Sequence, residues 1–138
     1  MKNWTLHHIA VVVHDIDKAV QYYESLGIIK FGREVIFPES QPKIRAKFVE
    51  VGSIPIEFVQ PIGGEASTYK EFLNRKGEGI HHIAFAVDDL EKETKELLDR
   101  GVSLIARRPA AAASGSIAAH FDTTRVGDFD IQLIQEPA

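Results

Sequence analysis

Four polar residues stand at matched positions in the two halves of this sequence, and their side chains are of types that bind metal ions. His8 and His82 each open a run of apolar residues, and Glu57 and Gln132 each lie between apolar residues later in the two halves. Imidazole nitrogens and carboxylate or amide oxygens suit zinc, cobalt, manganese, nickel or iron rather than soft metals. Four protein ligands leave positions open for water or a substrate, as a catalytic metal requires. These residues therefore predict a site for one divalent metal ion.

The two halves are copies of one module. Residues 7–28 align with residues 81–102 without a gap at an offset of 74, and eight of the 22 aligned positions are identical. A second match, at an offset of 75, joins residues 56–60 to residues 131–135. Two copies of this length are too few for a solenoid, so we expect modules that pack about a pseudo-two-fold axis. Such an axis would bring the four candidate ligands together.

The hydrophobic spacing predicts the same order of elements in both modules. A strand is expected in each copy, over 7–13 and 80–87, and a helix that starts at an aspartate and ends at a glycine follows it. The further predicted strands cover 28–37, 43–51, 54–60, 103–106, 116–121 and 129–135. The fold class is therefore α+β, with β-α-β-β-β modules over about 5–62 and 79–136 in a single domain spanning residues 1–138.

Two connecting segments carry their own predictions. A short helix over about 67–76 should join the modules, with Thr68 and Glu71 as its capping box. The segment 107–115 is predicted to be a mobile loop over the site, because Pro109 and Gly115 bracket an alanine run too short for a stable helix.

Strand alternation separates the histidines. His8 and His82 should point away from the helices, whereas His7 and His81 point to the opposite face of their strands, so only one histidine of each doublet enters the site. Glu57 and Gln132 likewise face away from their apolar neighbours. His14 and His120 lie outside the repeat pattern. We expect those two to be surface residues or residues that support the ligands from outside.

Composition restricts the classes of partner and compartment. The chain has 16 Lys and Arg against 20 Asp and Glu, a net charge of −4, which argues against nucleic acid as the main partner. The absence of cysteine excludes thiolate ligands and a disulfide scaffold. Neither a secretory signal nor an apolar run of membrane-spanning length is present in the sequence. We expect a cytoplasmic protein that does not associate with membranes.

The repeated motif resembles the vicinal oxygen chelate superfamily. The likeness rests on residues 77–90, which run from Gly-Glu-Gly through the second histidine doublet, on residues 6–13 around the first, and on residues 54–61. Within that superfamily, the sequence is most similar to methylmalonyl-CoA epimerase and glyoxalase I-like proteins. The resemblance implies an open eight-stranded, cup-like barrel around a divalent metal, and a homodimer. It puts the metal ligands at His8, Glu57, His82 and Gln132.

The sequence departs from this family pattern at the ligands. Epimerases of the family usually carry Gln at the first closing position and Glu at the second, whereas here Glu57 and Gln132 are exchanged. An amide cannot accept a proton at neutral pH. We therefore expect Glu57 to act as the catalytic base, as a ligand, or as both. Glu39 is a candidate second acid or base, although an exposed loop glutamate is the simpler interpretation.

The resemblance implies three possible functions. The first is a metal-dependent epimerase or isomerase acting on an acyl-CoA or a 2-oxo acid. The second is a glyoxalase I-like lyase acting on a thiol adduct, and the third is a non-catalytic relative that binds a small molecule. An extradiol dioxygenase fits less well, because its carboxylate ligand would stand at Gln132. The phosphates of coenzyme A would need basic residues, and the candidates are Lys43, Arg45, Lys47, Arg107 and Arg108. A solvated rim is the simpler interpretation of these residues.

Overall fold

The described residues contain eight strands and three helices. In this computed structural model they cover residues 1–37, 44–63, 67–110 and 115–137, with the side chains of 30–37 left outside the description. The elements in chain order are β1 (Thr5–Val12), α1 (Ile16–Ser25), β2 (Ile29–Phe37), β3 (Ile44–Val51), β4 (Ile54–Pro61), α2 (Thr68–Lys76), β5 (Gly79–Ala86), α3 (Leu90–Asp99), β6 (Ser103–Pro109), β7 (Ile117–Asp122) and β8 (Asp130–Gln135).

The chain divides into two compact units with the same strand pairing. Residues 8–81 form one unit, in which β1 runs parallel to β4, β4 antiparallel to β3, and β3 antiparallel to β2. Residues 1–7 and 82–138 form the other unit, in which β5 runs parallel to β8, β8 antiparallel to β7, and β7 antiparallel to β6. The predicted α+β class and the predicted order of elements are confirmed.

Each unit has its own apolar core between its helix and its strands. In the first unit, one face of α1 packs on the sheet, and the buried members of the cluster are Val13, Ile16, Val20, Val49 and Phe58. In the second unit, α3 packs in the same way, and the buried members are Val87, Leu90, Ala119, Phe121 and Leu133. Alternate residues of the strands therefore pack against the helix on one face of the sheet. The next residues along, Glu57 and Gln132, lie on the other face.

Equivalent side chains hold the starts of α1 and α3. Asp15 and Asp89 are the N-cap residues: the Asp15 side chain accepts from the backbone N–H groups of Asp17 and Lys18, and the Asp89 side chain from that of Lys92. The first residue of each helix donates its N–H to a glutamine at the end of the closing strand. Ile16 donates to Oε1 of Gln60 over 2.9 Å, and Leu90 to Oε1 of Gln135 over 2.8 Å. The duplication thus repeats the joint between helix and sheet.

Glycines end both helices, as predicted. Gly27 follows α1 with a φ of 73° and Gly101 follows α3 with a φ of 87°, in the left-handed region that disfavours other residues.

Two predictions about the connecting segments were wrong in detail. The N-cap of α2 is Ser67, whose hydroxyl accepts from the N–H of Lys70, so the predicted capping box of Thr68 and Glu71 does not start this helix. The predicted loop over 107–115 was placed too early, because pairing with β7 extends β6 to Pro109. Residues 111–114 of that segment lie outside the described residues, as do Glu39 and Lys43.

Among the residues that the structure describes, no helix is long and apolar enough to cross a membrane.

Replacing Gln135 tests the joint between β8 and α3. Because Leu90 is 1% exposed, water cannot replace the acceptor of its N–H when Gln135→Leu removes it. We expect the free energy of unfolding to fall by about 1–3 kcal/mol, as for other buried donors left without a partner. Urea unfolding measures the change. Gln135→Glu keeps an acceptor oxygen at the same length and should stay close to the parent. Equal stability of the leucine variant and the parent would contradict the assignment.

Candidate functional site

The first unit brings two of the predicted ligands together. His8 on β1 and Glu57 on β4 are 4% and 6% exposed, and Nε2 of His8 lies 3.5 Å from Oε1 of Glu57. The parallel pairing of β1 with β4 sets Ala10 opposite Glu57, which brings His8 and Glu57 onto adjacent strands of one sheet. The ring of Phe48 meets the ring of His8 edge-on, with centroids 6.2 Å apart. A ring nitrogen and a carboxylate oxygen thus lie side by side in a buried environment.

The second unit places the other two predicted ligands around a third residue. His82 is fully buried and Gln132 is 8% exposed. Both contact His120 of β7: the rings of His82 and His120 meet edge-on at 5.2 Å, and Nε2 of Gln132 lies 2.7 Å from Nε2 of His120. His82 and Gln132 therefore belong to one polar cluster, which includes a histidine that the repeat did not single out.

His120 corrects one expectation and His14 confirms another. His120 is 8% exposed, so the surface interpretation of this residue was wrong and the supporting interpretation fits. His14 is exposed, and only its backbone N–H donates, to Oε2 of Glu78. The signal that identifies His120 is the β7–β8 register, which sets it directly opposite Gln132.

The donor atoms fit a divalent metal ion. Oε1 of Gln132 is buried and accepts no hydrogen bond from any residue that the structure describes. Oδ1 of Asp130, two residues earlier on the same strand face, is another buried oxygen without a partner among the described residues. Buried polar atoms normally have a partner, and a bound ion is one kind of partner that would satisfy the Gln132 oxygen. Imidazole nitrogens and carboxylate or amide oxygens, the atom types offered in the two units, are ligands that zinc, cobalt, manganese, nickel and iron accept.

The remaining members of the histidine doublets are engaged elsewhere. His81 is 6% exposed and packs against Tyr69 and Phe72, with ring centroids 4.5 and 5.5 Å away. Burial lowers the pKa of His81 from 6.5 to about 4. Nε2 of His7 lies 3.4 Å from Oε1 of Glu136. Both contacts agree with the predicted separation of the doublets.

Asp130 is a buried carboxyl that the sequence reasoning missed. It is 7% exposed, lies opposite His82 in the β5–β8 pairing, and shares a strand face with Gln132. Burial, and then the negative charge of Asp122, raises the pKa of Asp130 to about 6. The repeat gives no signal for this residue, because the offset of 75 leads to Pro55 in the first module.

Two of the cations considered for phosphate binding make ion pairs with acidic residues. Arg45 contacts Asp17 over 3.1 Å, and Arg107 contacts Glu91. Such exposed pairs are typical of a solvated surface and contribute little to stability.

Known proteins share this sequence pattern and this fold. A family model described as Glyoxalase/Bleomycin resistance protein/Dioxygenase superfamily matches residues 7–120. Protein YqjC of Bacillus subtilis, which is described as uncharacterized, is 33% identical over 80% of this chain and 76% of its own length. Mitochondrial methylmalonyl-CoA epimerase of Bos taurus is 24% identical over 94% of this chain and 73% of its own length. The crystal structure of methylmalonyl-CoA epimerase from Mycobacterium tuberculosis matches with a TM-score of 0.80 and 25% identity, over 97% of this chain and 89% of that one.

The lowered pKa of His81 predicts a loss of stability in acid. Since the folded-state pKa is about 4 and the ordinary value is 6.5, the unfolded chain binds this proton more tightly. The contribution of His81 is complete above pH 6.5 and is lost as the pH falls toward 4. At pH 5 the loss from one such group is about 2 kcal/mol.

The variant His81→Phe keeps a ring against Tyr69 and removes the titration. In urea unfolding of chelator-treated protein, the parent should lose about 2 kcal/mol more than the variant between pH 7.5 and pH 5. Parallel pH profiles of the two proteins would show that His81 does not titrate in this way.

Proposed function

Because the chain belongs to the Glyoxalase/Bleomycin resistance protein/Dioxygenase superfamily, we propose that it is a divalent-metal-dependent epimerase or isomerase that removes a proton next to a carbonyl group. The proposed substrate class is an acyl-CoA of the methylmalonyl-CoA kind. The observation that carries the proposal is a pair of buried oxygens that could bind a metal, at equivalent strand positions. One belongs to the Glu57 carboxylate beside His8, and the other is the amide oxygen of Gln132, which accepts no hydrogen bond from any described residue. Named epimerases among the relatives support the choice of reaction.

The proposed metal ligands are the four residues that the repeat selected. His8 and His82 each offer a ring nitrogen, Glu57 offers a carboxylate oxygen, and Gln132 adds an amide oxygen. When bound, a divalent ion supplies positive charge that stabilises negative charge developing on substrate oxygens. The set carries a single negative charge from Glu57, so a dication keeps a net positive charge toward the substrate. Burial of the ligands excludes water and strengthens these electrostatic interactions.

Glu57 is the proposed base. Its carboxylate accepts the proton from the carbon next to the carbonyl group. The electron pair of that C–H bond then forms a carbon–carbon double bond, and the π electrons of the carbonyl group move onto its oxygen. Epimerisation is complete when a proton returns to the opposite face of the carbon. A carboxylate can take up this proton, whereas the amide of Gln132 cannot. The group that acts on the opposite face stays a sequence prediction, because Glu39 lies outside the described residues.

Proton exchange on a candidate substrate tests the reaction. Protein with its metal content determined should exchange the proton at C2 of methylmalonyl-CoA for deuterium in D2O, followed by NMR, and a chelator should stop the exchange. Propionyl-CoA is the matched control, since it has the thioester but lacks the free carboxylate on C2 and should exchange far more slowly. Turnover of a hemithioacetal in place of exchange would favour the lyase, and binding without either reaction would favour the non-catalytic relative.

The substitution Glu57→Gln tests the assignment of Glu57 as the base. The variant keeps an amide oxygen as a ligand but cannot take up a proton, so we expect exchange to slow by about 10²- to 10⁴-fold, the usual contribution of a general base. Because the variant also loses the only negative charge of the proposed ligand set, exchange is compared at saturating metal, with the metal content of each protein determined. Gln132→Glu at the equivalent position is the matched control and should retain exchange, because Glu57 is intact. Unchanged exchange by the Glu57→Gln protein would remove Glu57 from this role.

The oligomeric state and the cellular location of the protein stay predictions. A homodimer follows from the resemblance, and a cytoplasmic location follows from the sequence. Binding of the coenzyme A phosphates is assigned to no residue here, since Arg45 and Arg107 already contact carboxylates.

A further inference from the structure

His120 is a buried histidine of β7 that touches both proposed ligands of its unit. Its Nε2 lies 2.7 Å from Nε2 of Gln132 on β8, and its ring meets that of His82 edge-on at 5.2 Å. The proposed function gives His120 no role. Its position nevertheless allows it to act on Gln132 without binding the metal ion.

The contact with His120 distinguishes the two ends of the Gln132 amide. The amide nitrogen can only donate, so Nε2 of His120 accepts this hydrogen bond and the ring proton resides on Nδ1. The amide oxygen then accepts no hydrogen bond from His120, and none from any other described residue. The opposite orientation would direct the NH2 group, which is not a metal ligand, to where the oxygen now lies.

The first unit carries a different residue at the matching position. In the β3–β4 pairing Phe48 stands opposite Glu57, just as His120 stands opposite Gln132 in the β7–β8 pairing. Both rings meet the histidine of their unit edge-on, at interplanar angles of 88° and 86°. A carboxylate presents an oxygen whichever way it is turned, so an apolar ring suffices beside it. An amide has one oxygen and needs a partner that selects its orientation.

We propose that His120 is a positioning residue that holds the side-chain amide of Gln132 with its oxygen toward the metal ion. This inference rests on the proposed function, because it assumes that Gln132 is a ligand. The inference explains why histidine stands opposite glutamine in one module, whereas phenylalanine stands opposite glutamate in the other. It also separates His120 from the catalytic residues, since it acts through Gln132.

A double-mutant cycle with Co²⁺ as the probe tests the proposal. His120→Phe should weaken Co²⁺ binding by about 10- to 100-fold, the usual effect of losing a group that orients a ligand. The same substitution combined with Gln132→Glu should change the affinity by no more than about twofold relative to Gln132→Glu alone. That combination reproduces the pair formed by Phe48 and Glu57, in which the oxygen needs no orientation.

Each result of the cycle decides between the inference and its premise. A parent protein that does not bind Co²⁺ overturns both the proposed function and the role of His120. A parent that binds, with His120→Phe binding equally well, overturns the role of His120 alone. An equal loss in both backgrounds shows a general structural effect of His120 and also overturns the positioning role.

A measurement on the unaltered chain keeps the proposal testable if a variant does not fold. Long-range ¹H–¹⁵N NMR of the chelator-treated protein reports which ring nitrogen of His120 carries the proton. We expect the proton on Nδ1 and an unprotonated Nε2 that accepts from Gln132. A proton on Nε2 would overturn the proposal, because the amide oxygen would then be turned toward His120.

Discussion

A polar atom buried in a sheet must have a partner, and this constraint determines how the strand residues of both units are arranged. A buried donor or acceptor without one costs about 1–3 kcal/mol. The His8 ring lies beside the Glu57 carboxylate, and the amide nitrogen of Gln132 is hydrogen-bonded to His120. Two buried oxygens of β8, Oε1 of Gln132 and Oδ1 of Asp130, accept no hydrogen bond from any residue that the structure describes. In the proposed function, the metal ion supplies the missing partner of the Gln132 oxygen, and the cost of its burial is then offset by binding.

Duplication has kept the frame of the two modules and changed their polar positions. Gln60 and Gln135 bind the first turns of α1 and α3 in the same way, because each module must join its helix to its closing strand. Glu57 and Gln132 differ, and so do the residues that stand opposite them. Packing of the helix on the sheet admits few solutions, whereas a polar position on the other face is restricted only by its neighbours and its ligand.

The sequence allowed much of this arrangement to be predicted, because periodicity and duplication are both local patterns. Alternation along β1 and β5 separated His8 from His7 and His82 from His81 without knowledge of the fold. The role of His120 was not predicted because its equivalence to Phe48 is hidden by a change of spacing: Glu57 follows Phe48 by nine positions, whereas Gln132 follows His120 by 12. The longer β7–β8 connection hides the equivalence, which only strand pairing reveals. The raised pKa of Asp130 likewise depends on burial and on a nearby carboxylate.

The exchange of Glu57 and Gln132, relative to the pattern that the resemblance implies, preserves the charge of the donor set and moves its reactive oxygen. One carboxylate and one amide give a single negative charge in either order, so the attraction for a dication is unchanged. Under the proposed function, the proton acceptor moves from the second module to the first. An amide at position 132 then needs a neighbour that fixes its orientation, because only one of its two terminal atoms is an oxygen. A carboxylate at position 57 needs no such neighbour. In the proposed site, the hydrogen-bonding ring of His120 meets the first requirement, and the apolar ring of Phe48 suffices for the second.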